Sequence, residues 1–343
     1  MPFTLSHAAA VLPAIRRTGV ARGPLVASAL VAGSFAPDMT YFAATLVPGA
    51  MRFGDVTHGL PGVLTMDVLV TVVLVGGWLL LREPLLALPP RAWQGRAYGF
   101  VLGRPWNPRG PRQLATLAGW FYVSAALGSA THVVWDAFTH PGRWGTRLVP
   151  GLDDVVGGLP VYTYVQYGTS AVALAGIGWF LWTGLRDAGA RGAVGSARDA
   201  MGPAPGAVET ARGAVDTEAI PALTVRMRLL LTAPVALCVL LGAVHRTLRA
   251  YAVYGGMASW FDYVPTVLFG AGAGLTIALP CYAVAVRLLH RRARRPRAAG
   301  SGEPGQPAIL APERPRAVSR SGAKSPSGTA AGEGAGPGTA TAE

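Results

Sequence analysis

The chain has 343 residues, of which 51% are hydrophobic and only 14% charged, a balance that excludes an ordinary soluble domain and points to a membrane protein. The formal net charge is +13, yet it is carried by arginines spread over several loops, Lys324 being the only lysine. No aromatic-rich RNA-binding pattern accompanies them, so the charge reads as topological and nucleic acid is not an expected partner.

The first sixty residues predict a helical hairpin. "SHAAAVLPAIRR" and "PLVASALVAGSFAPD" each read as a helix of about 12 residues, roughly 18 Å long and too short to span a bilayer. Ser6 is placed as an N-cap of the first, Pro37 stops the second, and Gly19 and Gly23 permit the turn between them. Antiparallel packing then brings His7 beside Asp38. The competing reading is one spanning helix over 25–47 broken at Pro37-Asp38; the hairpin is preferred because an unpaired carboxylate in lipid is costly.

Five later segments have the roughly 20 apolar residues that a spanning helix needs: 63–81, 114–138, 161–185, 229–247 and 264–289. The stretch 82–113 holds six arginines and one Glu, whereas in 139–160 two arginines are balanced by Asp153 and Asp154. The positive-inside rule therefore puts 82–113, the loop 186–228 and the tail in the cytoplasm, with 139–160 outside. The fold class expected is all-α: a polytopic helical domain over 1–290 in the cytoplasmic membrane, with five spans and a short N-terminal hairpin. Residues 291–343 read as a disordered basic and polar tail, whose opening "HRRARRPR" (290–297) rests on anionic lipid headgroups.

Chemistry concentrates in "SATHVVWDAFTHPG", residues 129–142. His132, Asp136 and His140 recur every four residues, so they share one drifting stripe of a helix. His132 and Asp136 lie one turn apart and can grip the same ion. Pro141 biases His140 out of helical geometry, toward a second ion or the end of a pocket. His7, Asp38 in a Pro-Asp turn and His58 in "DVTHGLPG" converge on the same membrane face. Imidazole and carboxylate are ligands for zinc, manganese or iron, and a metal site of one or two ions favours phosphoester hydrolysis. The aromatics around Trp135 read as interfacial packing. Cys238 and Cys281 lie inside apolar runs and supply neither a disulfide framework nor a thiolate site.

The motifs "MPFTLSHAAAVLP", "AGSFAPDMTYF", "THGLPG" and "THVVWDAFTHPG" resemble an uncharacterised family of bacterial multi-pass membrane proteins common in actinobacteria, over about residues 1–290. More distantly, their order is similar to YdjM-type membrane-bound metal-dependent hydrolases and the zinc-dependent phospholipase C and P1 nuclease group. That resemblance implies a zinc-dependent hydrolase of a phosphoester, a lipid or lipid-linked one among the substrates, with His7, Asp38, His58, His132, Asp136 and His140 as ligands. The phospholipase group adds a helical His-x3-Glu, where "YTYVQYGTS" offers only Gln166 and Ser170, so one or two ions are expected rather than three. The alternative from another class is a non-enzymatic membrane protein, a transporter or scaffold whose polar cluster is a hydrogen-bond network.

Overall fold

The computed structural model describes residues 3–102, 106, 108–200, 223–255 and 260–294. Among them the chain is helical almost throughout, with one two-stranded ribbon, Val155–Val156 (β1) against Leu159–Pro160 (β2).

The N-terminal hairpin forms, though its arms are less regular than two plain helices. The first arm is a 3-10 turn Thr4–His7, helix α1 (Ala8–Val11) and a second 3-10 turn Leu12–Ala14. Pro13 explains the change of pitch: it lacks the N–H that a continuing α-helix needs. The second arm is α2 (Ala27–Gly33), and a bridge between Ile15 and Ala21 closes the bend. Gly19 sits there at φ 78°, a left-handed conformation that a side chain would strain. Val11, Ile15, Ala21 and Leu30 form the small core inside the hairpin. Ser6 is not an N-cap; it lies within the first turn, and its hydroxyl donates to the Phe3 carbonyl (2.7 Å) and reaches Ser170 (3.3 Å).

A continuous span over 25–47 does not occur. The chain breaks at the 3-10 turn Ala36–Asp38, continues as α3 (Met39–Ala43), and then makes two further short helices, α4 (Gly54–Thr57) and α5 (Leu60–Leu64). Among the described residues five helices are long and apolar enough to cross a membrane: α6 (Met66–Leu85), α8 (Pro111–Thr139), the Val161–Ala188 part of α10 (Val161–Ala200), α11 (Val225–Tyr254) and the Tyr263–Arg292 part of α12 (Trp260–Arg294). Each matches a segment expected from the sequence, with ends displaced by up to several residues.

Two expected loops differ. The stretch 82–113 contains a helix, α7 (Arg91–Leu102), which packs on α10 through Trp93–Trp182 and Phe100–Phe180 ring contacts at 6.1 and 6.2 Å. The stretch 186–228 begins as a helix, because α10 continues to Ala200. Alanine is the commonest residue of that extension and no proline interrupts it, so the helix runs past the apolar segment despite three glycines. Residues 201–222 and the tail from 295 lie outside the described residues, and with them most of the readings made for the loop and the tail. Between α8 and α10 the chain forms α9 (Trp144–Leu148) before the ribbon.

Close helix crossings hold the site's two halves together. A Cβ at Gly128 on α8 would collide with the Leu30 carbonyl of α2, and one at Gly33 with the Ala125 carbonyl. Small residues at such crossings let backbones approach where no hydrophobic force distinguishes helix from lipid. The Ser124 hydroxyl also accepts the Val26 amide (2.9 Å). At the far side α11 and α12 pack as a hairpin, fastened to the N-terminal layer by the Arg246 guanidinium, which donates to the Tyr41 carbonyl (2.5 Å) and the Thr45 hydroxyl (2.6 Å).

Candidate metal centre

The turns and helices described above deliver six polar side chains to one place. Asp38 ends the 3-10 turn begun by Ala36 and Pro37, His58 follows the last turn of α4, and α8 contributes His132 and Asp136 one turn apart. Asp38 and His132 are wholly enclosed, Asp136 and His58 nearly so.

The four side chains face one another at a common spacing. Nε2 of His58 lies 3.6 Å from Asp38 Oδ1 and 3.5 Å from Asp136 Oδ2; Nε2 of His132 lies 3.5 Å from each of the same oxygens. A charge-assisted N–H···O bond would be about 2.7–2.9 Å. Ligands at about 2.0–2.1 Å from a tetrahedral zinc, in contrast, stand about 3.3–3.4 Å from each other. One atom from each of the four residues falls within 4.8 Å of every other. The spacing is close to that between ligands of one ion, so the four side chains could hold a metal.

The surroundings aim these atoms. A carbonyl only accepts, so the contacts from His132 Nδ1 to the Ser34 carbonyl (2.7 Å) and from His58 Nδ1 to the Gly54 carbonyl (2.8 Å) place a proton on each Nδ1. In the neutral ring that tautomer turns the Nε2 lone pairs toward the carboxylates, the arrangement that orients imidazole ligands in metal sites. The Thr4 hydroxyl donates to Asp38 Oδ2 (2.5 Å), leaving Oδ1 to the cage. The Thr57 hydroxyl donates to the Pro37 carbonyl (2.8 Å) and ties the His58 segment to the Asp38 turn. Asp38 Oδ1 and His132 Nε2 have no hydrogen-bond partner despite complete burial. A carboxylate oxygen and an imidazole lone pair that face each other in a buried site repel unless positive charge, a proton or a metal ion, lies between them.

His7 and His140 flank this set differently. The His7 ring stacks on His132 (3.9 Å between centroids), and its Nε2 lies 3.5 Å from Asp136 Oδ1, the carboxylate oxygen turned away from the other imidazoles. Burial pushes its pKa down to about 3 and leaves the ring neutral. The direct link from the first arm to Asp38 is Thr4, not His7. His140 falls just beyond the helix end in an extended conformation, as a residue before proline should. Its Nδ1 meets the Asp136 carbonyl (3.3 Å) and lies 3.7 Å from Asp136 Oδ2, while its Nε2 meets the Gln166 amide nitrogen (2.8 Å). Both nitrogens are engaged, and His140 braces α8 against α10. Trp135 is half-buried rather than merely interfacial: its ring edge meets His7 at 5.2 Å and its indole N–H donates to Thr169.

Sequence reasoning missed Thr4 and the two orienting carbonyls. Thr4 carries no signal of its own, and backbone acceptors carry none at all. It also passed over Asp67, fully buried at the start of α6, whose Oδ2 accepts the Ser129 hydroxyl at 2.5 Å. A lone carboxylate inside the apolar segment 63–81 was the available clue.

The fold and the cluster together define a multi-pass helical membrane protein with a buried His/Asp cage able to hold a metal ion. The family profile described as a domain of unknown function, DUF4184, matches residues 1–284, and the chain belongs to that family. No curated protein and no solved structure matches it. The comparisons thus support the family and leave the distant hydrolase resemblance to the residues alone.

Proposed function

We propose that the cage binds one divalent transition metal, zinc by its donor set, and that the protein hydrolyses a phosphoester drawn from the membrane, a lipid or a lipid-linked compound. The observation that carries the metal reading is the equal 3.5–3.6 Å spacing of His58 and His132 Nε2 from Asp38 Oδ1 and Asp136 Oδ2. Two imidazoles and two carboxylates suit zinc, with manganese or iron as its chemical neighbours. A cation in such a site supplies Lewis-acid polarisation of a phosphoryl oxygen and acidifies a water.

The chain's own residues provide the rest. His58 and His132 hold their lone pairs inward through Gly54 and Ser34, Thr4 sets the rotation of Asp38, and Asp136 faces the cage with one oxygen and His7 with the other. His7 stays neutral beside Asp136 as the one nearby imidazole whose Nδ1 has no hydrogen-bond partner. The distant resemblance to membrane-bound metal-dependent hydrolases favours phosphoester cleavage over other metal chemistry. Membrane lipids are the surrounding partners in this reading.

The test is metal analysis of the purified protein, followed by assay of a chromogenic phosphodiester and of phospholipid vesicles. Near-stoichiometric zinc with hydrolysis, both lost in Asp136→Asn, is the expected result. Absence of any transition metal, with stability unaffected by chelator, overturns the metal reading; bound metal without turnover of either substrate overturns the hydrolase.

A further inference from the structure

We infer that the groove between the N-terminal hairpin, α8 and α10 is a binding site for one anionic phospholipid, separate from the His/Asp cage. The groove has a volume of about 790 Å³. Ile15, Trp135, Val172 and Gly176 line its body, and Arg17 and Arg22 lie at its edge. Apolar surface with a pair of cations at one end is the complement of an acyl chain beneath a phosphate.

Its place in the bilayer fits that occupant. The α10 wall runs from Gly168 to Phe180, a rise of about 18 Å at 1.5 Å per residue, more than half of the ~30 Å hydrocarbon core. All of that wall lies inside the apolar span Val161–Ala188. Val172 is 75% exposed and Gly176 is exposed as well, so the groove opens sideways at membrane depth, where an acyl chain rather than a water-soluble ligand meets it.

The arginines stand at the end of that span. The Arg17 carbonyl lies so near Gly184, one turn before Ala188, that a Cβ on Gly184 would come within 2.7 Å of it. The depth of Arg17 is therefore that of the headgroups. Arg22 is pinned by its Nε, which donates to the Pro13 carbonyl (2.9 Å). Among the described residues no carboxylate lies within ion-pair distance of either arginine. Unpaired guanidiniums at headgroup depth are phosphate partners by geometry and charge.

Toward its Gly168 end the groove is lined by Trp135, whose indole N–H donates to Thr169 and whose ring meets His7 at 5.2 Å. The bound lipid's head thus lies near Gly184 and its chain end near the cage, so its phosphate is remote from the metal ligands. It is a resident lipid of the fold rather than the hydrolysed molecule, and the inference does not depend on the cage binding metal.

The experiment reconstitutes the full chain in nanodiscs of phosphatidylglycerol or phosphatidylcholine, releases it into detergent, and counts retained lipid by native mass spectrometry. One retained phosphatidylglycerol, with weaker retention of phosphatidylcholine, is expected. Arg17→Gln with Arg22→Gln should abolish that preference. Gly176→Phe and Val172→Trp should each abolish retention of both lipids; a Cβ at Gly176 meets nothing within 4 Å, so the new ring fills the groove without displacing backbone. Unchanged metal content or helical circular dichroism checks that each variant folds. Equal retention of the two lipids by the unaltered protein, or full retention in a folded Gly176→Phe and Val172→Trp, overturns the inference.

Discussion

At the scale of single residues, the Ser34 and Gly54 carbonyls and the Thr4 hydroxyl engage the outer atoms of His132, His58 and Asp38 and leave the inner ones facing the cage. Asp38→Asn and Asp136→Asn each remove one of the two negative charges that balance the cation, so each should sharply lower metal content by plasma mass spectrometry. The two positions are nearly a hundred residues apart, yet they face the same imidazoles. Ligands of one ion act as a unit, so the double variant should lose little more than either single one. Additive losses would mean separate sites. Thr4→Val removes the hydroxyl that sets Asp38 and keeps the side chain's shape. Loss of such an orienting partner typically weakens metal affinity by about 10–100-fold, measurable by competition with a chromophoric chelator. An unchanged affinity would show that Asp38 is held by its turn alone.

At the scale of elements, the site depends on how closely α2 approaches α8. Ser34, which orients His132, follows directly on α2, and Gly128 lies one turn before His132 on α8. A side chain at Gly128 would meet the Leu30 carbonyl, so Gly128→Val should push the helices apart. Overpacking of this kind costs about 1–3 kcal/mol, read as a fall in the thermal midpoint. The same displacement should lengthen the Ser34–His132 contact, and metal content should fall with stability. A variant with the original midpoint and full metal would contradict the crossing described here. Gln166→Leu makes a gentler test of α10: it unfastens His140 but leaves the four-residue cage untouched, so metal should persist while the α8–α10 contact loosens in hydrogen exchange.

At the scale of the whole molecule, the described residues combine short N-terminal helices with five long apolar ones. A cation bound to the native cage and not to the unfolded chain stabilises the fold by mass action, about 4 kcal/mol when free metal exceeds Kd a thousandfold. Chelation should lower the thermal midpoint accordingly, and zinc should restore it. Arginine asymmetry sets the expected orientation: 82–113 and the tail in the cytoplasm, 139–160 outside. With Cys238 and Cys281 replaced, a cysteine near Arg96 should resist an impermeant reagent added from outside, while one near Asp153 should react. The reverse pattern would invert the topology. Removal of residues 298–343 should leave insertion and metal content intact, because the contacts that build the cage lie within the first 140 residues.

Much of this was legible in the order of the residues. Five apolar runs announce the spans, because bilayer thickness leaves few other solutions for such segments. A His-x3-Asp pair declares its own geometry, because helical periodicity stacks positions four apart. His7, Asp38 and His58 were recognisable as polar residues that a charge-poor chain must bury together. What no local pattern contained was the distance between them. The 3.5 Å spacing arises where a turn before α3, the end of α4 and the C-terminal turns of α8 meet, and it is set by glycine-mediated backbone approach between α2 and α8. The orienting partners were equally invisible: carbonyls of Ser34 and Gly54 have no identity in a sequence, and α7, at 12 residues, is too short to stand out among segments recognised by their spanning length. Periodicity reports what a segment does alone. Which lone pairs end up facing one another is decided only when distant segments share the same small volume.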